Sequence, residues 1–211
     1  MDSVYQHVLA WRDALERCGI ELAVWKIHRH IGMSGGLLVN ALLRETGADF
    51  TPDMAADLQR LHAEAYEQLR GTVRPLPGAI ALLRHLSSVD ILWAIGTSGT
   101  HRTAGHALAL LDLPPEIPVV TRDEVPYAKP DPHLFLAAAS RLEIHAENSI
   151  VVGDSVWDML AARRARALGV GLLSGGYGRE ELERAGAFRV YEDPAGLLTH
   201  LDELGIRTPP G

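Results

Sequence analysis

Ser149-Ile150-Val151-Val152-Gly153-Asp154-Ser155-Val156-Trp157-Asp158 is the stretch from which the architecture follows. A short β-branched run stops at a glycine, and a carboxylate comes next. A second carboxylate stands four residues on, and the spacing from Met159 to Leu168 predicts a helix. Strand, turn and helix in this order belong to an open parallel sheet, where ligands gather outside the carboxyl ends of the strands. Asp154 then sits at a strand tip, and Asp158 reaches the same side from one helical turn away. Two carboxylates at such a tip suit a hard cation such as Mg²⁺, which takes one or two carboxylates together with water and phosphate oxygens. The same stretch also reads as a plain helix start, with Asp154 as cap and Asp158 as a solvated first-turn acid. The stretch alone leaves both readings open.

Working outward, the chain from Ala79 onward alternates between the two patterns. Helices are expected at Ala79–Leu86, His101–Leu111, Pro132–Leu142, Arg179–Ala185 and Pro194–Leu204. Strands are expected at Ile91–Ile95, Pro118–Thr121, Val170–Leu173 and Phe188–Tyr191, besides the one at Ile150. This alternation implies an α/β fold built on a doubly wound, Rossmann-like parallel sheet. Residues before Leu76-Pro77-Gly78 carry only the helical period: Val4–Cys18 stopped by Gly19, Val24–Ile31, Leu37–Leu43, and a long helix opened by Thr51-Pro52 and stopped by Gly71. The expected division is an all-helical domain over 4–73 and an α/β core over 74–211.

Composition narrows the function. Apolar residues make up 47% of 211 residues, and the net charge is −7. An acidic balance of this kind argues against a nucleic-acid partner. No apolar run has the length of a membrane span and no signal peptide precedes the first helix, so no membrane role is expected. The single cysteine, Cys18, cannot form an internal disulfide, which fits a cytoplasmic protein.

Other chemically suggestive residues fall at predicted strand ends. Thr97 and Ser98 carry hydroxyls, and with the amide of Gly99 and the helix N-terminus near His101 they can hold a phosphate; a capped turn is the plainer account. Lys129 lies in Ala128-Lys129-Pro130-Asp131-Pro132, one of only two lysines in the chain. Held between prolines, it can act as a point charge on a phosphate and a nearby carboxylate. His28, Arg29 and His30 read as surface residues of a short helix. Arg163, Arg164 and Arg166 read as a solvated helix face.

A Thr after the Ile91 strand, a Lys in Lys-Pro-Asp-Pro, and Gly-Asp-Ser-x-x-Asp before an Ala-Ala-Arg helix, in that order, resemble three motifs of the haloacid dehalogenase (HAD) superfamily. The likeness is to its phosphoglycolate-phosphatase and β-phosphoglucomutase-like branch, which carries a helical cap. The resemblance implies that Thr97, with Ser98 and Gly99, binds the transferring phosphoryl group. It implies that Lys129 stabilises an aspartyl-phosphate, and that Asp154 holds Mg²⁺ with Asp158 in support. Ile31-Gly32-Met33-Ser34-Gly35 resembles the substrate loop, which points to Gly32, Met33 and Ser34. Ile31 and Gly35 stand where sugar-phosphate mutases of the branch carry Lys and Arg, which leaves a phosphatase for a small phosphorylated metabolite, phosphoglycolate-like. Arg166 stands where the family often ends this helix with Gly, so Gly169 is expected to stop it.

The family's first motif, Asp-x-Asp-Gly-Thr, supplies the nucleophile and the general acid/base. No Asp-x-Asp occurs in this sequence, and Asp2 matches the acid that follows the motif. The resemblance therefore implies a core whose central first strand is missing and a chain inactive as written. The alternative is a catalytically dead HAD-like protein that binds a phosphorylated ligand or a partner.

Overall fold

The computed structural model describes residues 1–33, 35–47, 51–127 and 129–206. Four helices come first: α1 (Val4–Arg17), α2 (Val24–His28), α3 (Gly35–Thr46) and α4 (Pro52–Leu69). They form because Val8, Trp11, Ala14 and Leu15 of α1 share one stripe, which buries with Leu58 and Leu61 of α4 and Leu38, Val39, Leu42 and Leu43 of α3. Thr51 caps α4, its side chain accepting from the Met54 amide, with Pro52 in the first turn.

The alternating part follows as α5 (Ala79–Ser88), β1 (Ile95–Gly96), α6 (His101–Ala109), β2 (Val119–Val120), α7 (His133–Arg141), β3 (Ile150–Gly153), α8 (Val156–Arg164), β4 (Leu168–Leu172), α9 (Arg179–Ala185), β5 (Ala187–Tyr191) and α10 (Pro194–Leu198). Every pairing between these strands is parallel, and helices separate them, as the α/β reading requires. The ladder runs β3-β4-β5 in one piece and β1-β2 in another. Helix α7 spans both: its Leu134 and Phe135 lie against Gly96 of β1, while Ala139 and Phe135 pack in the cluster of Val151 of β3. Among the described residues no strand pairs with the free edge of β1 or of β3. The apolar side chains nearby show the consequence. Val152 of β3 is 43% exposed and Leu92, just before β1, is 65% exposed, although strands of a parallel sheet are normally covered on both faces.

Several boundaries differ from the sequence expectation, each for a physical reason. The strand expected over Ile91–Ile95 pairs at Ile95 and Gly96, because among the described residues Val119 and Val120 are the partners opposite it. The helix expected from Met159 to Leu168 runs from Val156 to Arg164 instead. Ser155 starts it early as N-cap. Arg166 ends it by taking the left-handed conformation itself, with φ 62°. Gly169, expected as the stop, lies inside β4, opposite Val151. Helix α2 ends at His28 rather than Ile31, and the last helix breaks after Leu198 into a 3₁₀ turn at Leu201–Leu204.

Candidate functional site

The carboxyl end of β3 passes directly into α8, and this turn is built around Asp158. The Ser155 side chain accepts from the Asp158 amide, while one Asp158 carboxylate oxygen, Oδ2, accepts from Ser155 N at 3.1 Å and Ser155 Oγ at 2.6 Å. This is a reciprocal capping box. The other oxygen, Oδ1, accepts from Lys129 Nζ at 2.6 Å, an ion pair buried on both sides. Thus Ser155, not Asp154, caps the helix, and Asp158 is buried rather than solvated. Gly153 has no alternative here: a Cβ would fall 2.3 Å from that of Asp158. The Lys129–Pro130 peptide bond is cis.

Asp154 is left with its carboxylate half-buried, and it makes no hydrogen bond with another described side chain. Burial raises its pKa, the neighbouring Asp158 raises it further, and the Lys129 and Met1 ammonium groups pull it back. Its backbone is clamped from behind, since a Cβ on Gly175 would lie 2.0 Å from the Asp154 carbonyl oxygen. A carboxylate bonded to no other described side chain, in a crevice that disfavours its charge, fits a hard cation as partner. Asp158 fits less directly, because both of its oxygens are already bonded. Among the described residues no group of three or more His, Cys, Asp and Glu has metal-holding geometry.

At the end of β1, Thr97 Oγ1 accepts from Gly99 N at 3.1 Å. The start of α6 is similarly self-satisfied: Thr100 and Thr103 form a capping box, and His101 N donates to Asp123 Oδ2 at 2.8 Å. The amides expected to receive a phosphate thus already donate to protein oxygens, and an anion there competes with them. Among the described residues no hydrogen bond or ion pair links Thr97 to Lys129 or Asp154.

Residues from the leading helical segment reach this floor. Ser98 Oγ donates to the Gly32 carbonyl at 3.1 Å. A Cβ on Gly32, whose φ is 98°, would sit 2.6 Å from Ser155 Oγ. The Gly32 loop therefore lies between the Thr97–Ser98 turn and the head of α8. Ile31 and Met33 are partly buried beside it, while Ser34 falls outside the described residues.

His28 and Arg29, expected on the surface, are instead docked on the core. His28 Nε2 donates to the Gly175 carbonyl at 2.8 Å. The Arg29 guanidinium pairs with Glu181 and lies 4.6 Å from the centre of the Tyr177 ring. The Arg29 carbonyl accepts from Trp157 Nε1 at 3.2 Å and Tyr177 OH at 2.8 Å. Burial, as the largest influence, pushes the Tyr177 hydroxyl up to about 12. Ser155 could have been read from its Ser-x-x-Asp spacing; Trp157 and Tyr177 carry no comparable local signal. Arg163, Arg164 and Arg166 are exposed, as a solvated face requires.

The family model described as haloacid dehalogenase-like hydrolase matches residues 2–166. A phosphoglycolate phosphatase of Rhodospirillum rubrum is 34% identical over 194 residues, 88% of this chain and 78% of that protein. Hexitol phosphatase A of Escherichia coli is 38% identical over 114 residues, 54% of this chain and 52% of its own length. Among solved structures, a hydrolase from Pseudomonas syringae superposes with a TM-score of 0.93 at 55% identity, covering 96% of this chain and 93% of that one.

Proposed function

This chain belongs to the haloacid dehalogenase-like hydrolases, and on that premise we propose that it serves the hydrolysis of a small phosphate monoester, phosphoglycolate-like, with Mg²⁺. The observation that carries this reading is the buried Lys129–Asp158 pair set beside the open Asp154 carboxylate at a strand tip. Transfer of a phosphoryl group asks a protein chiefly for positioning and for charge facing the phosphoryl oxygens. Lys129 is the cation for that task, and Asp158 orients it. Asp154 would hold Mg²⁺, which when bound supplies further positive charge to the phosphoryl oxygens. Thr97 and Ser98, with the amide of Gly99, bind the phosphoryl group once that amide turns from Thr97 toward it. Gly32 and Met33 would face the leaving group, with residues 4–73 acting as cap over a core of 74–211. The names of the curated relatives, phosphoglycolate and hexitol phosphatases, support a small phosphorylated substrate. The free Cys18 is in keeping with a cytoplasmic site of action.

The covalent step needs a carboxylate nucleophile and a second acid/base two residues on. No Asp-x-Asp occurs in this sequence, so these residues carry the binding and charge-stabilising half of the reaction. The free edges of β1 and β3 suit a parallel strand bearing such a motif. The test is to supply that strand, as an apolar segment with Asp-x-Asp-Gly-Thr fused ahead of Met1, and to follow phosphate release from small monoesters. Mg²⁺-dependent turnover is expected, absent without the segment. Asp154→Asn and Lys129→Ala should each lower turnover on the order of 10²–10³-fold, the scale of a lost electrostatic contact at a reacting centre. Near-normal turnover by Asp154→Asn would remove the metal assignment. Phosphate binding with no turnover in any form would leave the chain a ligand-binding member of the family.

A further inference from the structure

We infer that Trp157 and Tyr177 are positioning residues that hold the Gly32 loop over the site through one main-chain atom, the carbonyl oxygen of Arg29. Two donors from different core elements converge on this oxygen: the Trp157 indole from the first turn of α8 and the Tyr177 hydroxyl from the turn after β4. A carbonyl has two lone pairs, and both are used. Tyr177 is buried, so its hydroxyl needs such an acceptor. The same tyrosine carries the Arg29 guanidinium on its face, and Glu181 fixes the other side of that guanidinium. His28, one residue earlier, is tied to the Gly175 carbonyl and stacks on the Tyr5 ring at 5.6 Å.

The consequence for the loop is geometric. Arg29 is three residues before Gly32, so fixing its carbonyl leaves Gly32 little freedom. Trp157 also touches the loop directly, with its Cδ1 3.3 Å from where a Gly32 Cβ would be. Trp157 lies between Ser155 and Asp158, inside the motif that carries the acid side of the site. The same turn thus arranges Asp158 with one residue and docks the loop with the next. Because the acceptor is a backbone atom, the docking does not depend on the side chain at position 29. A role in setting the loop for substrate rests on the phosphatase reading; the docking itself does not.

The test is limited digestion with trypsin, for which Arg29–His30 is a cleavable bond whose own carbonyl is the one held. In the unaltered chain this bond should resist. In Trp157→Phe/Tyr177→Phe, which removes both donors and leaves one aromatic ring at each position, cleavage there should accelerate about tenfold or more, the scale of two lost hydrogen bonds governing a local opening. Each single variant keeps one donor and should accelerate it by about threefold or less. Cleavage at Arg60, inside α4, reports the fold itself and should stay unchanged, while the thermal midpoint should fall by only about a few degrees. Unchanged cleavage at Arg29 in the double variant overturns the inference. If the double variant does not fold, the single variants decide: faster cleavage at Arg29 with Arg60 still protected supports the docking, and equal rates refute it. The assay needs no turnover, so a segment-fused chain that hydrolyses no phosphate monoester while Arg29 stays protected would count against the phosphatase reading and not against the docking.

Discussion

The strand-bearing part of the chain and the leading helices each bury a pair of titratable side chains, and they do so in opposite ways. In the core, Lys129 and Asp158 form an ion pair, and Ser155 satisfies the remaining carboxylate oxygen. Among the leading helices, His7 Nδ1 and His62 Nε2 share a 3.2 Å hydrogen bond between α1 and α4. These imidazoles lie in a stack with Tyr66 and Trp11, and burial lowers their pKa values to about 4 for His7 and about 3 for His62. Burying charge is tolerable only with a partner and full hydrogen bonding, whereas an imidazole can escape the cost by staying neutral. The comparison separates a pair kept for its charge from one kept for its shape.

Breaking the core pair should have the largest effect on stability. Lys129→Met leaves Asp158 buried without its cation and should cost about 3–5 kcal/mol in urea unfolding. Adding Asp158→Asn to that variant removes the orphaned charge and should recover part of the loss. A cost below about 1 kcal/mol would mean that water reaches the pair, as it does at surface ion pairs.

The histidine pair should appear in the pH profile. Both imidazoles are neutral in the folded state near neutrality, while in the unfolded chain they gain protons below about pH 6.5. The unfolded state therefore binds more protons between about pH 6.5 and pH 4, and stability falls as pH falls through that window. At pH 5 the expected loss is about 2 kcal/mol per imidazole. Asp154 acts with the opposite sign, since its raised pKa makes folding relatively more favourable as pH falls. His62→Gln should roughly halve the slope in this window, and an unchanged slope would assign the acid loss to other groups.

A smaller change touches neither pair and calibrates both. Arg166 holds a left-handed conformation at the end of α8, with its side chain on the surface paired to Glu147. Arg166→Gly relieves a backbone cost of about 1–2 kcal/mol but adds unfolded-chain freedom, for a net gain of about 0.5–1 kcal/mol in thermal unfolding. Destabilisation would show that the Glu147 pair outweighs the backbone strain.

The legible parts of the site were those whose signal is local. Lys129 stands out because lysine is nearly absent and two prolines flank it. Asp154 and Asp158 stand out because a β-branched run ends at Gly153 just before them. His7 and His62 were not legible. Each sits on a helix whose pattern shows only that one face is buried, and their pairing requires α1 to lie against α4 in one register. Trp157 and Tyr177 were hidden for the same reason, since nothing near them in sequence marks the carbonyl they serve.

By itself the sequence determined the α/β class, the all-helical leading segment, and the order of strands and helices. These follow from hydrophobic period and turn chemistry, which act over a few residues and so are written locally. Only the tertiary structure decided that Asp158 spends both oxygens on Lys129 and Ser155, that Arg166 rather than a glycine turns the chain into β4, and that the ladder divides between β1 and β3. It also decided that Trp157 and Tyr177 both donate to the Arg29 carbonyl. Each of these depends on which groups from distant segments arrive within hydrogen-bonding or van der Waals distance, and that is fixed by packing the whole chain at once.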